Sequence, residues 1–498
     1  MSKCRRNSTL GYTKYSPLEK AWLGLIVVLL STTELQAQSI KSAPRLVVNI
    51  TIDQLRTDFL EQFAPLYGTD GFKKLLSEGT VFEAASYPFT PVDRASAIAA
   101  ISTGTVPYYN NIVSTRWLDR LTLRPTGCVD DNKYANAPTK LSTSTIGDEL
   151  KIATNGNALV YAIAPWRDAA ILSAGHAANG AFWKNELKGN WETSPYYSAG
   201  ARTWINAYQQ TAGTTATSPK KEKSIKNETF QTIDNQEITK IALACINGQV
   251  LGKDDIPDYL AITLSAEESQ SLAWQVDMEA TYRQLDRTLA NFIQQVEAQV
   301  GKEHVLFIVT STGYTTDCDI DYSQYHIPTG TFRIDRTANL LNIYLSAIYG
   351  QGRYVDNCFR NQIYLNRQLI EQKHLGMGEL LQRSQEFLIQ NAGVRDVFTS
   401  ERLQRGGDEV RKIRNGYSAD TSGDIIVEVA PGWQLQNEEN GDHYTSRASF
   451  VPFPIIFLGE GIKAQRINTP VTVDRIAPTV AKSIRIRAPN ACKAEPLF

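Results

Sequence analysis

Histidine is scarce in this chain: 498 residues hold five. An excess of charge of either sign is missing too. Fifty-one Lys and Arg stand against 52 Asp and Glu, so there is no basic footprint for nucleic acid. Cysteine is sparse, and Cys128, Cys245, Cys318, Cys358 and Cys492 are those beyond the N-terminal segment. Their odd number and lack of metal-like spacing argue against a zinc knuckle. In an exported chain two or four of them could pair, and buried unpaired thiols are an equal reading. Long apolar runs are also lacking. Apart from Ala21–Leu30 (AWLGLIVVLL), no stretch is long enough to cross a bilayer.

What is present starts at the N-terminus. Lys3, Arg5, Arg6, Lys14 and Lys20 precede the apolar run, and Leu35-Gln36-Ala37 follows as a small-residue cleavage site. This pattern reads as a signal peptide over residues 1–37, leaving a chain of 38–498 exported to the periplasm or envelope of a bacterium. An uncleaved anchor is the other reading. No lipobox cysteine lies near the cleavage site, so the mature chain is expected to carry neither a lipid nor a transmembrane segment.

Beyond it, continuous β-branched and aliphatic runs mark buried strands at Arg45–Ile52, Ala158–Ala164, Asp258–Leu264, His304–Thr310 and Pro454–Gly459, with further strands read at Leu340–Tyr349 and Asp424–Ala430. Helical patterns fall at Gly71–Glu78, Asn235–Asn247, Asp277–Val300, around Met377–Ala392 and at Asp474–Ile486. The hydrophilic Thr211–Lys226 reads as an exposed loop. Alternating strands and helices without a repeat predict an α/β fold, an α/β/α sandwich on a mainly parallel central sheet. In such sheets chemistry gathers at the carboxyl ends of strands. Asp53, Arg167, Ser265–Glu268 and Ser311-Thr312 all fall at such ends.

The stretch from Pro88 to Trp117 organises the rest. A Pro-punctuated loop gives way at Arg94 to a small-residue helix that stops at Thr103-Gly104, before Pro107. A helix N-terminus collects unpaired N–H groups and partial positive charge, so this junction is a ready anion site. The motifs LVVNITIDQLRTDFL, TPVDRASAIAAISTGTVP and ILSAGHAANGAFW, followed by IPTGTFRID, IRNGYSADTSGDIIVEVAPGW and PFPIIFLGEGI, resemble the alkaline phosphatase superfamily. The branch is that of exported bacterial phosphatases allied to type I phosphodiesterases and nucleotide pyrophosphatases. The similarity runs from about Pro44 to about Pro489, with inserted cap or loop segments at about 180–235 and 320–425 of the 38–498 domain.

The resemblance implies two-zinc phosphoryl transfer from a Thr or Ser nucleophile at a helix N-terminus. Carried over residue by residue, the first metal-binding Asp is present as Asp53, but the nucleophile position holds Arg94. The Asp and His spaced four apart fall on Glu268 and Leu272, and the Asp-His pair on Ser311 and Thr312. The final His falls near Pro452. The phosphate-binding Asn falls on Thr115, and a Lys-Asp-Arg loop on Arg167, Asp168 and Ala169. None of His176, His304, His326, His374 and His443 recovers the set; His443 comes nearest and lies several residues too early, while His176 falls at a pocket wall.

No zinc and no cofactor are therefore expected. The chain reads as a catalytically inactive pseudophosphatase that binds or scaffolds, with an envelope protein or a small anionic ligand as partner; the alternative is a divergent metal-dependent phosphomonoesterase or phosphodiesterase. Arg94 has two readings. Either it is a structural cation paired with Asp53 or Glu268, or, aided by Arg167, it still binds an anion. Asp317, Asp319 and Asp321 resemble the start of a calcium loop without its Gly and closing Glu, and read as a solvated acidic loop. Tyr108, Tyr109, Trp117, Trp166, Phe182 and Trp183 make the pocket region aromatic, either as packing or as a binding surface.

Overall fold

A computed structural model describes residues 43–185, 188–211, 234–267, 274–314, 325–438, 441, 443–445 and 451–498. The N-terminal segment 1–37 read as a signal peptide, residues 212–226 of the hydrophilic loop, Glu268, Leu272 and Asp317–Asp321 lie outside them. The chain from Ala43 to Phe498 forms one compact unit.

Its centre is a ten-stranded sheet. In chain order the strands are β1 (Leu46–Asp53), β2 (Thr80–Ser86), β3 (Val160–Ala164), β4 (Gly180–Lys184), β5 (Trp191–Thr193), β6 (Asp258–Ser265), β7 (Val305–Ser311), β8 (Phe453–Gly459), β9 (Gln465–Ile467) and β10 (Val471–Thr472). In space the order is β9-β2-β8-β7-β1-β6-β3-β4-β5, with β10 beside β2. The middle of the sheet, β7-β1-β6-β3-β4, is parallel, while β8 enters antiparallel to β7 and β2, and β5 pairs antiparallel with β4. The expected mainly parallel α/β sheet is the one observed.

β1 is buried along its whole length, which explains its unbroken apolar run. Alternation still sorts its side chains. Leu46, Val48, Ile50 and Ile52 pack into the core on one face, and Val47 into the core on the other. Asp53 shares the parity of Val47, so its carboxylate emerges on the face covered by helix α1 (Arg94–Thr103), at the carboxyl end of the strand. In register beside it lie Ser265 of β6 and, one position earlier, Ser311 of β7 opposite Ile52.

Every residue of α1 from Ala95 to Thr103 is buried, which is why the helix is built of Ala, Ser, Ile and Thr. Larger side chains would hold it off the sheet. Its start is a capping box: the Asp93 carboxylate accepts from the Ser96 amide, and the Asp93 amide donates to the Ser96 hydroxyl. Its end is Gly104 at φ +64°, where a Cβ would lie 2.9 Å from Ala477 Cβ and Cys492 Sγ, so only glycine fits. The C-terminal segment thus closes over α1, and Phe498 stacks edge-on against Phe457 of β8.

A second, smaller core surrounds a four-stranded sheet of Val355–Phe359, Gln362–Leu365, Ile425–Val429 and Val394–Thr399. One element differs from the sequence reading. Leu340–Tyr349 is the greater part of a helix, Ile334–Tyr349, and not a strand. Ile334, Ala338, Leu341 and Leu345 are buried at helical spacing, while Leu340 and Ile343 are exposed; the density of aliphatic residues there hid the 3.6-residue period.

Candidate functional site

Arg94 is the first residue of α1, next to its Asp93 cap. A cation sits poorly at a helix N-terminus, so what compensates it defines the site. The guanidinium donates through Nε to Asp168 Oδ2 at 3.1 Å and through Nη2 to Asp168 Oδ1 at 3.3 Å, a two-pronged pair. Its plane lies over the Trp166 ring, 4.0 Å from the centroid. Asp168 belongs to helix α2 (Arg167–Ala174), which follows β3, and its side chain is almost fully buried. Burial opposes the charge on Arg94, but Asp168, then Tyr314 and Asp53, outweigh that and raise its pKa above the ordinary arginine range.

The partner of Arg94 is therefore Asp168. Sequence reasoning expected Asp53 or Glu268; Asp53 acts on Arg94 only through its field, and Glu268 lies outside the described residues. Arg167, expected to assist Arg94, points elsewhere, donating to Asn136 and pairing with Asp130 at 2.8 Å. Of the six aromatic residues read as a cluster, Trp166 is the one that stacks on Arg94. Trp117 and Trp183 fill the core on the α1 face, Phe182 fills the opposite core, and Tyr108 and Tyr109 are exposed.

Asp53 is completely buried, and its carboxylate accepts from the Thr312 hydroxyl at 2.9 Å and the Tyr314 hydroxyl at 3.1 Å. Thr312 in turn accepts from the Gln54 amide at 3.0 Å. Desolvation dominates at Asp53 and lifts its pKa to about 6, although Arg94 and the hydroxyl donors pull the other way. Burial and the neighbouring Asp53 raise the Tyr314 phenol well above its usual value, so it stays a proton donor. Ser311 is buried beside this group, its carbonyl accepting from Tyr87 at 2.8 Å.

Thr115 is brought to the same helix end, but through Asp93. Its amide and hydroxyl both donate to Asp93 Oδ2, at 2.6 and 3.0 Å, and Arg360 adds a contact at 3.3 Å. Burial alone would raise Asp93; Arg360 and the donors from Thr115 and Ser96 overcome it and hold the carboxyl below the usual range. His176 stands apart. Its Nδ1 meets Asp148 at 3.0 Å and its Nε2 the Leu141 carbonyl at 3.0 Å, so both ring nitrogens are occupied in tying a loop to a helix start. Pro452 donates nothing from its side chain and accepts from the Thr57 amide through its carbonyl. His443 lies in a short strand, His443–Thr445, paired to Trp433–Gln436.

The structure thus joins Asp53, Arg94, Asp168 and Thr312 with Trp166 and Tyr314, sets Ser311 and Thr115 at the edge, and turns Arg167 away. Tyr314 carried no signal in the sequence. Trp166 did, as the residue between a buried strand and Arg167. Among the described residues, no group of three or more His, Cys, Asp or Glu converges to hold a metal ion.

A mainly parallel α/β sheet, with a carboxylate ending the central strand and a capped small-residue helix N-terminus facing it, is the frame of the alkaline phosphatase superfamily. Residues 47–449 match the family model for Type I phosphodiesterase / nucleotide pyrophosphatase, and the chain belongs to that family. It is 26% identical to alkaline phosphatase PhoV of Synechococcus elongatus, over 90% of this chain and 91% of that protein. It is 25% identical to alkaline phosphatase PafA of Elizabethkingia meningoseptica, over 96% and 98%. The crystal structure of wild-type PafA superposes with a TM-score of 0.77 at 24% identity, covering 91% of this chain and 98% of that one, and fixes the fold.

Proposed function

We propose that this chain is a non-hydrolytic member of its family, exported from the cytoplasm and acting by binding. The observation that carries the reading is the Arg94–Asp168 pair over Trp166. Arg94 stands where the resemblance puts the nucleophile, and a guanidinium without a removable proton cannot attack phosphorus. Its fork is already taken by a buried carboxylate, which supports a structural role for Arg94 over capture of an outside anion.

The donor set does not suit two zinc ions. Among the described residues, Asp53 is served by the Thr312 and Tyr314 hydroxyls and the Gln54 side chain, and no group of three or more carboxylates, imidazoles or thiols converges to hold a metal ion. A fixed guanidinium nearby would also repel a dication. The reading therefore includes no resident zinc. Export is favoured by the basic, apolar and small-residue order of residues 1–37; among the described residues, no helix is long and apolar enough to cross a membrane.

Metal analysis of protein purified without chelator, together with assays on aryl phosphate mono- and diesters, tests the proposal. Substoichiometric zinc and turnover at background are expected. Robust hydrolysis abolished by a chelator would establish the divergent phosphoesterase instead.

A further inference from the structure

A cavity of about 490 Å³ opens away from the Arg94 network, and none of its lining residues takes part in that network. The volume is that of a small-molecule site. One wall is the turn Pro107–Asn110 with Asn111; the other is the segment around Gln404, Arg414 and Tyr417–Asp420. The walls are joined by one bond between lining residues and by two more between the segments that flank them. Ser418 donates to Asn111 Oδ1, Asn415 donates to the Pro88 carbonyl at 2.8 Å, and the Thr90 amide donates to the Lys412 carbonyl at 3.1 Å. The cleft is preformed.

Its surface has an unusual make-up. Tyr108 and Tyr109 are 49% and 41% exposed, yet they are not loose. The rings lock edge to face with centroids 5.0 Å apart, and Lys493 sits 4.5 Å over Tyr109 while donating to its hydroxyl at 3.0 Å. Fixed aromatic rings about half open to water supply contact area at little cost in conformational entropy. Arg414 is steadied by one donor, Nη1 to the Gly406 carbonyl at 2.9 Å, and the rim adds the amide of Gln404 and the carboxylate of Asp420.

We propose that this cavity is a saccharide-binding site. A pyranose presents an apolar C–H face that stacks on a tyrosine ring, and hydroxyls that both donate and accept. The cavity offers that pairing: rings on one wall, and a planar cation, an amide and a carboxylate on the other. A phosphate group would meet Asp420 as a like charge, and a wholly apolar ligand would desolvate Asp420 and the donors of Arg414 other than the one that Gly406 accepts.

Saturation-transfer NMR on the mature protein tests it, with chitotetraose, maltotetraose, cellotetraose and mannotetraose as separate probes. Transfer to ring protons of at least one sugar is expected. Affinity should fall about tenfold in Tyr108→Ala/Tyr109→Ala, the scale of a removed aromatic anchor, and measurably in Arg414→Ala. Because Tyr109 also holds Lys493, the single variant Tyr108→Ala serves if the double one melts early. Absence of transfer from all four sugars, or transfer undiminished in Tyr108→Ala, overturns the assignment. Either result leaves the reading of Arg94 untouched, since that rests on zinc content and turnover.

Discussion

Asp53 and Asp93 both bear on the start of α1, one through the field at Arg94 and the other as the helix cap, and are satisfied in opposite ways. Asp93 gathers two backbone amides, the Thr115 and Ser96 hydroxyls and the Arg360 guanidinium, and its pKa falls. Asp53 is sealed from water with two hydroxyl donors, the Gln54 side chain and a guanidinium that another carboxylate already holds, and burial still raises its pKa to about 6. The difference separates a carboxylate that builds the fold from one the fold tolerates. Asp93 positions α1 and the Thr115 loop, whereas Asp53 keeps an electrostatic demand that its neighbours meet only in part.

The largest expected effect comes from removing the cation between them. Arg94→Ala leaves Asp168 buried without its partner and should cost about 3–5 kcal/mol in chemical denaturation. Arg94→Ala/Asp168→Ala should recover much of that loss, because the stranded charge is gone. Additive losses in the double variant would show that the pair is not a unit.

Asp53 gives the next largest effect, with a definite sign. Its pKa is about 6 folded against an ordinary 3.8, so between those values the folded chain holds more protons than the unfolded one. Stability therefore falls as pH rises from about 4 to above 6, by about 2–3 kcal/mol in all. Asp53→Asn should flatten that slope and be the more stable protein above pH 7, as read from melts across pH. A variant less stable than its parent there would show that the hydroxyl donors and the Arg94 field outweigh the burial of the Asp53 charge.

Asp93→Ala should destabilise by about 2 kcal/mol, the sum expected for a lost helix cap and charge-assisted hydrogen bonds. Hydrogen exchange should locate the loss at the start of α1 and around Thr115. An unchanged melt would remove Asp93 from its structural role. The smallest effect is a null one. Arg94→Thr supplies a hydroxyl where the resemblance expects one, yet on the proposed reading phosphate ester hydrolysis should stay at background, since the positions that the resemblance gives to metal ligands would still hold Leu272, Ser311 and Thr312. Turnover in that variant would defeat the binding reading.

Much of this was legible in the chain. Strands buried on both faces announced themselves as unbroken aliphatic runs, and Asp53 stood out because an acid ending such a run has to be accommodated. The start of α1 was visible in its small residues and the loop before it. What stayed hidden was pairing across distance. Asp168 lies 74 residues from Arg94, and nothing local says that α2 delivers its second residue to the head of α1. Arg167, its neighbour, was read as helping Arg94 to hold an anion, until the helix fixed which side chain faced inward and sent Arg167 to Asn136 and Asp130. Tyr314 was beyond reach for the same reason, and Leu340–Tyr349 was misread because composition spoke louder there than period.

The closing of the C-terminal segment over Gly104 also has a consequence in time. The contacts that seat the far end of α1 include Ala477 and Cys492, nearly four hundred residues downstream of Gly104. A loop that long closes slowly. During synthesis the helix that bears Arg94 can pack on α2 well before the seat for its far end exists, and a chain truncated shortly before Cys492 would keep the Ala477 contact at Gly104 and lose the Cys492 one.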